Sequence, residues 1–358
     1  MTSVEVARAM ARGVRRAFPR ADIVECPVAD GGEGTQDALL RALGGRIETV
    51  AVAGPLGEQV DARIAFLNGG RAVVESAQAS GLALVASDRH DALRSSTFGT
   101  GMLLQVALER VPAAVLVCVG GTASTDGGVG AAAATGWTFT DRAGDPVGLG
   151  GHALSLVAAV RAPDERSSPV PVIGLCDVDV PLTGERGAAR TFAPQKGASA
   201  DEVEVLERGM RNLELRLRED LGVDVSELPH AGAGGGLGAG LAAFFGATLV
   251  PGFDVVAEAA GLPGAIEGAD LVITGEGRVD RQTLYGKSVF GVTRLARSRR
   301  VPCAAVAGAV GLPEGTLRDI GIRSATDLVA RYGERRALVD APGCLADATY
   351  AMVTSMLA

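Results

Sequence analysis

Two lysines, Lys196 and Lys287, stand among 34 basic residues, and both sit beside glycine, in Pro194-Gln195-Lys196-Gly197 and Gly286-Lys287-Ser288. Every other positive side chain is arginine (34 − 2 = 32). An ammonium is a compact point charge on a flexible stem, whereas a guanidinium is a planar fork. A chain that uses arginine everywhere else points to phosphate contact at its two lysines. Four loops carry glycines and carboxylates with few bulky side chains. The first spans Asp30, Gly31, Gly32, Glu33, Gly34 and Thr35. The second runs from 120 to 130 and includes Gly120, Gly121, Ser124, Thr125 and Asp126. The third, 177–184, holds Asp177 and Asp179, and the fourth, 275–287, holds Glu276, Arg278, Asp280 and Lys287.

Glycines let backbone N–H groups approach a phosphate, and a following helix adds its positive end. Carboxylates beside a phosphate repel it unless a cation lies between them. Acid-plus-glycine loops therefore read as a polyphosphate with Mg²⁺, which keeps waters and takes one or two carboxylates. Lys196, Lys287 and Arg278 would offset charge on the transferring group. One such loop is an ordinary turn; four in one chain favour phosphoryl transfer. Other chemistries lack their residues. A Walker A loop ending at Gly286-Lys287-Ser288 would need glycine where Arg281 stands. The glycine loop 232–240 has Leu237 where a dinucleotide fingerprint needs its third glycine, and no G-x-S-x-G elbow occurs.

The loops need elements to hold them. Leu271–Thr274 is a short apolar run that reads as a buried strand, followed by a helix over 288–298 and a second buried strand over 303–306. The first acidic loop is expected between a strand over 23–27 and a helix over 36–43. Thr2 and Glu5 form a capping-box pattern before a helix to Phe18. Runs over 47–52, 60–67 and 71–76, separated by Gly/Pro and Asn-Gly turns, read as an antiparallel meander. A helix over 99–109, a strand over 114–119, a strand over 170–176 and a charged helix over 200–221 follow. The glycine loop 232–240 is expected to open a helix over 241–245.

Length suggests two domains, since 358 residues exceed one ordinary core. Net charge of −8 argues against nucleic-acid binding by bulk electrostatics and fits a soluble cytoplasmic protein. No apolar run is long enough to span a bilayer. Five cysteines without metal-ligand spacing read as small buried hydrophobes in a reducing compartment.

Taken together, these blocks resemble the class I bacterial glycerate kinases along nearly the whole chain. The matching stretches are 28–35, Gly54-Pro55-Leu56-Gly57, 75–82, 98–101, 120–130, 176–184, 194–198, the loop 234–240 with Gly234, Gly235 and Gly236, and 274–287. The resemblance implies ATP-dependent phosphorylation of D-glycerate, usually at the 2-hydroxyl, with Mg²⁺. It implies an α/β chain of two domains. One is a discontinuous flavodoxin-like parallel-sheet domain, 1–32 plus 255–358. The other is an inserted α+β domain like a restriction-endonuclease core, 33–254. It assigns Asp30, Asp126, Asp177, Asp280 and Lys287 to catalysis and Asp177 with Asp179 to the metal. Gly31–Thr35, Gly120, Gly121, Ser124, Thr125, Lys196, Gly234–Gly236, Glu276 and Arg278 are assigned to substrate and nucleotide. Members of that family open with an apolar strand and an Asp-Ser-Phe-Lys-type loop. This chain starts at the cap of the first helix, so a longer natural chain is expected. Val180 stands where the family commonly has Asn.

Overall fold

The computed structural model describes residues 1–164, 170–281, 283 and 287–357. Within it the chain divides into two units, residues 1–30 with 253–358, and residues 31–252. The first unit holds a three-stranded parallel sheet in the order Ile322–Asp327, Cys303–Ala307, Val272–Thr274. Cys303–Ala307 lies in the middle and is buried throughout. A central parallel strand is covered on both faces, which is why it reads as an unbroken apolar run. Ser3–Ala17 begins at Thr2, whose hydroxyl accepts from the Glu5 N–H while the Glu5 carboxylate accepts from the Thr2 N–H. Its Ala9 and Met10 pack with Cys344, Leu345 and Ala348 of Ala341–Leu357 on one face of the sheet. Phe253, Val292 and Ala296 cover Val272 and Cys303.

The second unit is built on a six-stranded mixed sheet. Its order is Gly45–Ala53, Gln59–Leu67, Arg71–Glu75, Ala114–Cys118, Val172–Cys176, Thr248–Pro251. The first two pairings are antiparallel and the last three parallel. Val115 and Val117 on the inner strand bury against Leu103 and Leu104 of Phe98–Glu109 and Leu237 and Leu241 of Leu237–Phe245. Each such leucine is worth about 1.5–3 kcal/mol in removal from water. A second cluster joins Met210, Leu213 and Leu217 of Ala200–Leu221 to Phe139, Leu154 and Phe244.

Two sequence expectations fail. Residues 22–30 form no strand, and among the described residues no ladder hydrogen bond reaches 23–27. Cys26 and Val28 still pack beside Phe253 and Val272. The segment thus has the apolar side chains of a strand without its backbone pairing, and Val24 is 64% exposed. The helix expected at 241–245 begins at Leu237, inside the glycine loop. Gly238 and Gly240 are helical despite their poor propensity, because a Cβ at Gly240 would meet the Gly127 carbonyl at 2.5 Å. Among the described residues no helix is long and apolar enough to cross a membrane.

Candidate functional site

The carboxyl ends of three parallel strands in the second unit carry Glu75-Ser76, Gly120-Gly121 and Asp177. Loops at such ends are where open α/β sheets place ligands. Glu75 is buried, and its carboxylate accepts from the backbone N–H groups of Gly34 (2.9 Å) and Gln36 (3.1 Å). It thereby supplies the cap that Gly34 cannot give the helix Thr35–Leu43. Burial pushes the Glu75 carboxyl pKa up, against these two hydrogen bonds. The Thr35 hydroxyl accepts from the Gly31 N–H at 3.1 Å, and the Ser76 hydroxyl donates to the Gly120 carbonyl at 3.4 Å. One strand end therefore fixes both glycine loops.

These loops wall a cavity of about 440 Å³. Its polar side is made by Glu33, Gly120, Gly121, Thr122, Asp177 and Lys196, closed by Gly234 and Gly235. A Cβ on Gly120 would lie 2.8 Å from the Gly32 Cα and 3.0 Å from an Asp177 carboxylate oxygen, so a side chain there would crowd both. Gly234, Gly235 and Gly236 are consecutive left-handed residues, with φ of +62°, +70° and +87°. Side chains rarely adopt that conformation. At Gly235 a Cβ would also strike the Ser124 carbonyl at 2.1 Å and approach the Lys196 ammonium at 3.0 Å.

Lys196 is 3% exposed. Its ammonium donates to the Ser124 carbonyl at 2.5 Å and to the Thr122 hydroxyl at 3.3 Å. Desolvation pulls its pKa down to about 8, and the charges of Asp126 and Asp177 oppose that fall. Asp126 is placed differently from the cavity acids. It is fully buried and accepts from the Thr97 N–H and hydroxyl, the Ser96 hydroxyl, and the Gly128 and Gly130 N–H groups. It clamps the 120–130 loop and is absent from the cavity wall. The Ser124 and Thr125 hydroxyls are buried and have no hydrogen-bond partner among the described residues. Asp179 is exposed, and one of its oxygens accepts from the His230 N–H at 3.1 Å.

The first unit gathers the other acidic loop. Thr283 is buried and donates from its hydroxyl to the Glu276 carboxylate at 2.5 Å. Burial raises the Glu276 pKa; Asp30 and Asp280 push it the same way, while Lys287 and the Thr283 bond oppose it. The Asp280 N–H donates to the Thr283 hydroxyl at 3.0 Å, and Arg278 approaches Asp280 at 3.6 Å. Lys287 is the N-cap of the helix Ser288–Ser298, and the Ser288 N–H points to Asp30 at 3.4 Å. Asp30, Glu276, Asp280 and Lys287 thus share one electrostatic neighbourhood at the positive end of a helix. Gln282, Leu284, Tyr285 and Gly286 lie outside the described residues.

Sequence reasoning did not single out Glu75, Thr283 or the apolar side of the cavity. Glu75 acts on backbone groups 41 residues away, and no local pattern marks such a reach. For a divalent cation, Asp177 supplies a carboxylate on the cavity wall, which suits the oxygen preference of Mg²⁺. Among the described residues no group of three or more His, Cys, Asp or Glu gathers as a self-contained metal site.

The chain is 43% identical over 335 residues to a glycerate kinase of Halalkalibacterium halodurans, covering 92% of this chain and 88% of the relative. It is 38% identical to the glycerate 2-kinase of Escherichia coli, covering 93% and 88%. A crystal structure of a protein assigned as glycerate kinase 2 from Salmonella typhimurium LT2 superposes with a TM-score of 0.80 at 36% identity, covering 100% of this chain and 94% of that one. The model of the glycerate kinase family matches residues 1–357. The chain belongs to the glycerate kinase family.

Proposed function

We propose that this chain transfers the γ-phosphoryl group of ATP to D-glycerate, giving 2-phosphoglycerate and ADP. The observation that carries the reading is the placement of its only two lysines. Each stands among carboxylates and glycines beside strand ends, in a chain whose relatives are glycerate kinases.

The glycerate hydroxyl oxygen attacks the γ-phosphorus, the bond to the β,γ-bridging oxygen breaks, and ADP leaves with that electron pair. The hydroxyl proton passes to a carboxylate of the Asp30, Glu276 and Asp280 group. Glu276, with its raised pKa, suits that task. Lys287 sets a point charge against the transferring group, at a helix end already favourable to anions. In the second unit, Lys196 and the N–H groups of Gly234–Gly236 suit phosphate oxygens. Asp177 would hold Mg²⁺, with Asp179 nearby in sequence, and the ion would neutralise phosphate charge there. The catalytic part given by resemblance to Asp126 becomes a positioning one.

The discontinuous flavodoxin-like domain (1–32 with 255–358) and the inserted α+β domain (33–254) are part of this reading, as is a cytoplasmic enzyme with no nucleic-acid partner. Phosphorus NMR of the product tests it. A 2-phosphate on D-glycerate is expected. A 3-phosphate would correct the position, and transfer only to another small hydroxy acid would overturn the substrate.

A further inference from the structure

One side of the cavity in the second unit has no evident work with glycerate. Leu82, Val85, Val178 and Phe192 make this apolar part of the lining. Glycerate carries a polar group on each of its three carbons and offers no apolar face to cover. The cavity, about 440 Å³, is also far roomier than so small an acid needs. A nucleotide has both a flat face to bury and a chain of anionic oxygens.

The apolar turn is tied to the polar loops beside it. The Leu82 N–H donates to the Gly121 carbonyl at 2.9 Å, tying the apolar turn to a glycine loop. The Val85 carbonyl meets the His90 ring at 3.2 Å. The His90 carbonyl in turn lies where a Cβ on Gly197 would reach it at 2.6 Å, so that the turn abuts the loop bearing Lys196. Phe192 ends the helix Ala188–Phe192, whose Ala189, with neighbouring Ala193, joins a core cluster with Val203 and Leu206. The helix is anchored by its alanines, and its one aromatic ring is left to the cavity.

We propose that Phe192, with Leu82 and Val85, seats the base of the nucleotide, so that this cavity is the nucleotide site and the acceptor binds elsewhere. The inference rests on the kinase reading for its ligand. Its test is the affinity of the full chain for ADP and for inorganic tripolyphosphate, by calorimetry, in wild type, Phe192→Ala and Phe192→Leu, together with the KM for D-glycerate. Base–aromatic stacking makes a loss of roughly tenfold or more in ADP affinity the expectation for Phe192→Ala. Tripolyphosphate affinity and the glycerate KM should stay within about twofold. Phe192→Leu keeps an apolar side chain, should retain the wild-type unfolding temperature, and should lose less ADP affinity. Equal losses for ADP and tripolyphosphate would overturn the base seat, because they would mean a collapsed cavity. A raised glycerate KM with ADP affinity intact, or no change in either, would also overturn it. If ADP affinity depends on Phe192 but no hydroxy acid releases ADP from ATP, the seat stands and the kinase reading falls.

Discussion

The two lysines are chemically identical and sit in opposite environments. Lys196 is enclosed, pinned by a carbonyl and a hydroxyl, and its charge is costly enough to bring its pKa to about 8. Lys287 caps a helix, is half-buried, and faces Glu276 as one of several charges. An enclosed, pre-positioned ammonium is built for holding an anion that arrives once per cycle. A half-buried lysine with a carboxylate neighbour is better placed to meet charge that develops during transfer. On the proposed reading, the difference gives binding to Lys196 and chemistry to Lys287.

The largest effect that would break this division is expected at Lys287. Lys287→Ala should lower kcat by about 10²–10³-fold, the usual cost of losing one transition-state charge partner, with an unchanged unfolding temperature. Asp126→Asn should act on stability. The amide would turn a donor toward a site that gathers five donor groups. We expect a loss of about 3 kcal/mol in chemical denaturation, and a wild-type midpoint would remove the clamp from the account.

Lys196 gives a pH signature. Its folded pKa of about 8 lies below the ordinary 10.5. Between those values the unfolded chain binds more protons, so stability should rise with pH from about 8 to 10.5, and the gain should vanish below 8. Lys196→Met should flatten that rise, by an amount on the order of 3 kcal/mol across the window. ADP affinity should fall over the same rise in pH, because the unliganded lysine loses its charge.

The smallest change is expected at Glu75. Its folded pKa is raised, so the stability linked to its proton is present below its unfolded pKa and lost as pH rises through the folded value. Glu75→Gln removes a buried charge but turns an amide donor toward one of the two N–H groups, so the two effects oppose and neutral-pH stability should change by about 1 kcal/mol or less. The variant should lower kcat/KM by roughly tenfold, because one acceptor must replace two in holding the Gly34 and Gln36 N–H groups. An unchanged kcat/KM would show that the loop keeps its shape without the clamp.

Much of the fold was legible where local chemistry decides it. The helix Ala200–Leu221 matches its expected span, and the structure shows why: Ser199 and Glu202 form a capping box, and Gly222 ends the helix in the left-handed conformation. The meander and the strands Ala114–Cys118 and Cys303–Ala307 followed from unbroken β-prone runs. Residues 23–27 misled because an apolar stretch can pack by its side chains alone: Cys26 joins the core there, and among the described residues no ladder reaches it. The Leu237 helix start was hidden by glycines chosen for close backbone approach. At the site, residue types announced phosphate chemistry. The separation of Asp126 from the cavity acids could not be read, because the five groups that enclose it come from two loops about 30 residues apart.

The most direct test of the account is the rate of ADP release from MgATP with and without D-glycerate, run in parallel on wild type and Lys287→Ala, with ADP affinity measured on the same samples. The account predicts glycerate-dependent release by wild type, a drop of about 10²-fold or more in the variant, and ADP affinity within about twofold. Wild-type turnover in Lys287→Ala, or wild-type protein that binds ADP yet releases none with D-glycerate, would contradict it.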